Sequence, residues 1–153
     1  MIIYKDVVER YTIKNQSLLK HLIKYMFVNM GTLISVNKLY NDYKSQGYKL
    51  GKDTLQDYLS YLQEAYTLFT TPIYRNSVRE EQRNPKKLYA IDNGFKKLFS
   101  ISLSDDYSKL YENLAFLHLR RKSFEVYYFK DKQEVDLYIR TDQEYLMNIS
   151  YMI

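Results

Sequence analysis

Cysteine and tryptophan are absent from the 153 residues, and histidine and proline occur twice each and glycine four times. With no cysteine there is no disulfide framework, no thiol nucleophile and no Cys-based zinc site, and a reducing, cytoplasmic home is the expectation. The two histidines, His21 and His118, stand alone in helical patterns and read as packed or surface side chains rather than metal ligands. No apolar run approaches the ~20 residues that a membrane helix needs. The opening MIIYKDVVERY carries charges where a signal peptide would be apolar, so the chain is expected to be soluble and unexported, with no membrane partner. Scarce glycine also removes the one tempting phosphate loop. GYKLGKD, Gly47 to Asp53, places three residues between its glycines where a Walker loop needs four, and Asp53 follows the lysine where Ser or Thr would hold magnesium.

What is abundant is apolar and aromatic: 46% of the residues are hydrophobic and 18 are tyrosine, enough to bury a real core in one ordinary domain or two small ones. The net charge of +5 is unevenly distributed. Residues 1–100 hold 16 Lys and Arg against 9 Asp and Glu, a balance of +7, while residues 101–153 hold 7 against 9, a balance of −2. A basic first part suits an anionic partner such as nucleic acid, and equally a solvated Lys-rich surface.

The chain is organised around DTLQDYLSYLQEAY, Asp53 to Tyr66. Leu55, Tyr58, Leu59 and Leu62 fall at i, i+3, i+4 and i+7, which predicts an amphipathic helix with Lys52, Gln56, Ser60 and Gln63 on the opposite face. Asp53 and Gln56 have the spacing of a capping box. Before it, an extended or short helical lead (Met1 to Asn15) precedes a helix from Gln16 to Met30, ended by Gly31. A second helix is capped by Ser35 and ended by Gly47. After it, Thr67 to Tyr74 and Lys87 to Ile91 read as strands joined by a charged hairpin tip, RNSVREEQRNPK. Two helices, a third helix and a hairpin are the order of a winged helix, in which the third helix and the wing touch the partner. Lys52, Gln56, Arg75, Arg79, Arg83, Lys86 and Lys87 are therefore the candidate nucleic-acid contacts, with duplex DNA the expected partner.

A polar connection, Ser100 to Asp106, marks the expected boundary between residues 1–100 and 101–153. The second unit reads as a helix, Tyr107 to about Lys122, and strands Phe124 to Phe129, Glu134 to Arg140 and Tyr145 to Met152. Glu112 on the helix, Glu134 and Asp136 on one strand and Asn148 and Ser150 on the next are polar groups that paired strands could bring together. Such a set suits a Mg²⁺-dependent nuclease, in which carboxylates hold the ion and a lysine steadies the transition state. On spacing alone, polar positions on the solvated face of a sheet are the favoured reading.

Several stretches carry a family resemblance: KDVVERYTIKN, TLQDYLSYLQEAY, NPKKLYAIDNGF, LYENLAFLHLRR, EVYYFKDKQEVDLYI and YLMNISY. In this order they resemble the domain that follows the ATPase domain in many bacterial and archaeal AAA-type ATPases. The resemblance implies an α+β chain: a winged helix-turn-helix followed by a partial restriction-endonuclease-like unit, similar to the PD-(D/E)XK nucleases. It matches Glu112 to the helix acid, Asp136 to the metal-binding aspartate, Asn148 to the glutamate of the E-x-K pair and Ser150 to its lysine. Glu112 and Asp136 are then the candidate ligands of Mg²⁺. A neutral amide and a hydroxyl at the last two positions depart from the catalytic pattern. The ATPase domain itself would precede Met1.

Three readings follow: a nucleic-acid-binding or protein-docking module with an inactive nuclease-like half; a Mg²⁺-dependent nuclease; and an adaptor that never touches nucleic acid. The first is preferred because of Asn148 and Ser150. A homo-oligomer is also expected, since no later helix is available to cover Val126, Tyr128, Val135, Leu137, Ile139, Leu146 and Ile149 on the two faces of the second sheet.

Overall fold

The lead segment is a helix, α1 (Ile2–Arg10), in the computed structural model, which describes residues 2–99, 107–140 and 145–147. It docks rather than links. Val7 is fully buried, the Tyr11 ring stacks on Tyr61 with centroids 3.9 Å apart, and the Tyr11 hydroxyl donates to Glu64 Oε2 at 2.6 Å. The next helix, α2 (Gln16–Val28), starts where the Asn15 side chain accepts from the Leu18 amide at 2.9 Å, satisfying one of the free N–H groups of the first turn. Leu18, Leu19, Leu22, Ile23, Met26 and Phe27 are all buried, as their spacing predicts. Gly31 takes φ +77 in the turn that follows, a backbone state that favours glycine, and its amide donates to the Leu88 carbonyl at 2.7 Å.

A two-residue strand, β1 (Leu33–Ile34), leads into α3 (Val36–Ser45), and Gly47 at φ +85 turns the chain toward α4 (Lys52–Glu64). Leu55, Tyr58, Leu59 and Leu62 are buried in one core with the apolar faces of α2 and α3. Burial of each such leucine is worth about 2 kcal/mol. The expected capping box does not form. Gly51 holds the extended N-cap position, so Asp53 lies inside the first turn, where its charge complements the positive end of the helix dipole. Ser35 does sit at the N-cap of α3, but its side chain makes no capping hydrogen bond.

Strands β2 (Leu68–Thr71) and β3 (Lys86–Ala90) are antiparallel neighbours, and β3 is the centre of a sheet ordered β1-β3-β2. Their connection is not a plain hairpin tip: it contains a helix, α5 (Val78–Arg83), whose first turn carries Glu80 and Glu81. Alternation along β3 decides which residues meet which core. Leu88 and Ala90 face the helices, whereas Tyr89, with Phe69 of β2, belongs to a second core.

That second core is built by α7 (Tyr107–Arg121), which follows α6 (Gly94–Phe99), and by a sheet of β4 (Val126–Lys130), β5 (Glu134–Ile139) and β6 (Tyr145–Met147), antiparallel in that order. Phe116 stacks on Tyr89, with centroids 4.1 Å apart and planes 8° from parallel. Asn113, fully buried, clamps the end of β3: its Oδ1 accepts from the Ala90 amide at 2.9 Å and its Nδ2 donates to the Ala90 carbonyl at 3.0 Å. The two sheets are stitched by a parallel bridge between Ile73 and Tyr128.

This packing corrects the expectation of a bare second sheet. Tyr128, Leu137 and Ile139 are buried at 1%, 0% and 7% exposure, and Val126 and Val135 are half-buried. Leu137 and Ile139 share a core with Phe69, Tyr89 and α7, so cover comes from within the chain. Ile149 lies outside the described residues. The architecture is α+β, with small antiparallel sheets.

Candidate functional site

Two features stand out, one buried and one open. In β3 the even-numbered residues face the helices, so Lys87 is carried to the same side as Tyr89, toward α7 and β5. There its ammonium sits 2.9 Å from Glu112 Oε1 and 2.6 Å from Asp136 Oδ1. The Tyr89 hydroxyl donates to Glu112 Oε1 at 2.8 Å. Glu134 stands at the rim, 3.9 Å from the ammonium, and is also paired with Lys130 at 3.2 Å. The Lys87 side chain is only 3% exposed.

Burial alone would lower the Lys87 pKa, but the Glu112 and Asp136 carboxylates more than offset it and hold the ammonium above the ordinary lysine value. Burial raises the Glu112 carboxyl, against the lowering pull of Lys87 and Tyr89. Burial, then the nearby Glu112 charge, pushes the Tyr89 phenol well up.

Glu112 and Asp136 are thus brought together as the sequence suggests, while Asn148 and Ser150 lie outside the described residues. As arranged, the acid pair does not fit Mg²⁺. Both carboxylates are bonded to a buried cation that a metal ion would have to expel, and among the described residues no group of three or more acids or histidines is placed to hold a metal.

The burial of Lys87 is also a correction: it is no nucleic-acid contact, because its charge is consumed inside the protein. Arg75 is half-buried, its guanidinium donating to the Lys130 carbonyl at 2.9 Å and to the Tyr74 carbonyl at 3.1 Å. Arg79 is exposed on α5.

The remaining candidates converge on the open feature. Lys52 and Gln56 of α4 face Arg83 of α5 and Lys86 of β3 across a cleft of about 450 Å³. Its lining includes the half-buried Ile34 and Val36 and the buried Leu59, Leu68 and Leu88, and none of its lining residues is acidic. Lys52, Gln56, Arg83 and Lys86 are exposed and make no side-chain hydrogen bond or ion pair with the described residues.

Sequence reasoning missed Tyr89 and Asn113 as polar members of the interior, and Gln82 as part of the cleft. For Gln82 a signal was available: Ser77 followed by Val-Arg-Glu-Glu has the composition of a helix start, which turns the tip into a wall.

The family model described as a domain of unknown function, DUF8612, matches residues 1–105. The chain belongs to the DUF8612 family. An uncharacterized protein of Methanocaldococcus jannaschii is 33% identical over 98% of this chain and 34% of its own length. An uncharacterized protein of Haemophilus influenzae is 25% identical over 95% of this chain and 36% of its own. The chain therefore spans about a third of the length of these curated relatives. No solved structure matches it. The DUF8612 match includes the cleft and Lys87, whereas the acids that bind Lys87 lie beyond it.

Proposed function

We propose that this chain is a nucleic-acid-binding winged-helix module whose third helix is α4 and whose wing is the β2–α5–β3 segment, joined to a nuclease-like unit that does not cleave. The observation that carries the reading is the acid-free cleft, where unpaired cations from the helix and from the wing face the same space. The order of helices and the β1-β3-β2 sheet also suit a winged helix. Asp53 and Asp57 are exposed on α4 and repel phosphate, so binding of modest strength is expected.

Band-shift titration tests it. Wild type should retain duplex DNA at low salt. Replacing Lys52, Arg83 and Lys86 by alanine should weaken retention and flatten the dependence of log affinity on log salt by about 0.9 for each phosphate that is no longer neutralised. Equal retention by both proteins would defeat the reading and leave a protein-docking role.

The same proposal predicts no cleavage of DNA or RNA with Mg²⁺ or Mn²⁺, because Glu112 and Asp136 are engaged by Lys87. Cleavage by wild type that disappears in Asp136→Ala would instead establish a nuclease.

A further inference from the structure

The cleft has a shape that duplex reading alone does not explain. Gln56 of α4 is exposed in a concave surface that α5 and the start of β3 also line. Its chemistry is layered. Lys52, Arg83 and Lys86 supply positive charge with no lining acid to cancel it, the half-buried Ile34 and Val36 supply accessible apolar surface, and Gln56 and Gln82 supply amides that both donate and accept.

From this we infer that the cleft takes one unpaired nucleotide, with its phosphate against the cations, its planar base on Ile34 and Val36 and its polar edge against the glutamine amides. The volume of about 450 Å³ lies in the range of small-ligand sites and is far below what a duplex occupies. An acidic peptide would satisfy the cations, but it offers neither the flat apolar face nor the hydrogen-bonding edge that Ile34, Val36 and the amides complement. The inference rests on the nucleic-acid reading above and sharpens it: paired DNA contacts the cations through phosphates alone, and an extruded base or a free nucleotide enters.

Fluorescence titration separates the possibilities with three probes carrying 2-aminopurine: a free 2-aminopurine nucleoside monophosphate, a duplex with the analogue as a single-base bulge, and the same duplex fully paired. Wild type should bind the bulged duplex about tenfold more tightly than the paired one. Ser60→Trp, which fills the cleft from an exposed position of α4, should abolish that preference while leaving paired binding within about twofold. Gln56→Ala should reduce the preference with no added bulk. Binding of the free nucleotide, abolished in Ser60→Trp, would assign a soluble ligand to the same site. Equal affinity of wild type for bulged and paired duplex with no free-nucleotide binding overturns the inference but leaves the DNA reading standing. A preference that survives in a folded Ser60→Trp protein also overturns it. Failure of wild type to bind any probe overturns both.

Discussion

Lys87→Met is expected to destabilise the protein by about 3–5 kcal/mol, because it leaves two buried carboxylates without their cation. Glu112 is 4% exposed and Asp136 8%, so neither can recover the loss by turning to water. The cost is one of stranded charge rather than of a missing attraction. A buried ion pair contributes little relative to an apolar replacement of similar volume, and breaking one side of it is what destabilises. Combining Lys87→Met with Glu112→Gln and Asp136→Asn should therefore restore at least half of the stability, even though it removes more hydrogen-bonding groups. Urea denaturation of the single and triple variants measures both. A single variant within about 1 kcal/mol of wild type would mean that the cluster is hydrated and not structural.

The second large effect is alkaline. Tyr43, Tyr89 and Tyr128 are each 2% exposed or less, and burial first, then nearby negative charge, raises their phenols above the ordinary value. Tyr43 differs in that its neighbours are Tyr48 and Tyr25 rather than carboxylates. In each case the folded protein keeps its proton to higher pH than the unfolded chain does. Below a pH of about 10 both states are protonated and these groups contribute no pH dependence. Above it the unfolded chain ionises first, so stability falls by up to about 1.4 kcal/mol per pH unit for each group. Lys87 acts in the same direction, since its raised pKa gives stability that is complete below the ordinary lysine value and is lost as pH passes the folded one. Unfolding free energy measured from neutral pH upward should be flat and then drop steeply, with tyrosinate absorbance of the buried rings appearing together with unfolding. A folded protein whose tyrosines all ionise at the ordinary pH would contradict this.

The sequence discloses the elements whose burial follows a local period and hides those settled by distant partners. The stripes of α2 and α4 are legible because spacings of three and four residues put Leu18, Leu22 and Met26, or Leu55, Leu59 and Leu62, on one face whatever surrounds them. Lys87 reads as a wing cation because its neighbours are Pro85, Lys86 and Leu88. The acid that binds it at 2.6 Å is 49 residues away. Glu112 and Asp136 can be paired from their place on a helix and a strand, but no sequence spacing reveals that a third element carries their countercharge. Asp53 reads as a cap only if the helix starts after it, whereas Gly51 adopts the extended N-cap conformation and starts the helix early. The second sheet looks bare when cover is sought among later residues. The residues that share its core, Phe69 and Tyr89, are encoded earlier.

The position of β3 at the middle of its sheet has a consequence for a ribosome-bound chain. Both strands that flank it, β1 and β2, precede it in synthesis, and neither pairs with the other. Until Ala90 leaves the exit tunnel, α2, α3 and α4 lack Leu88 and Ala90 from the core they share, and the two strands have exposed edges on every side. Emergence of that single strand then closes the helical layer on one face and presents Lys87 and Tyr89 on the other, still awaiting α7 and β5. A stall that leaves β2 outside the exit tunnel and β3 still inside it would therefore hold the nascent chain at its stickiest point, where a chaperone that covers apolar surface should bind most strongly.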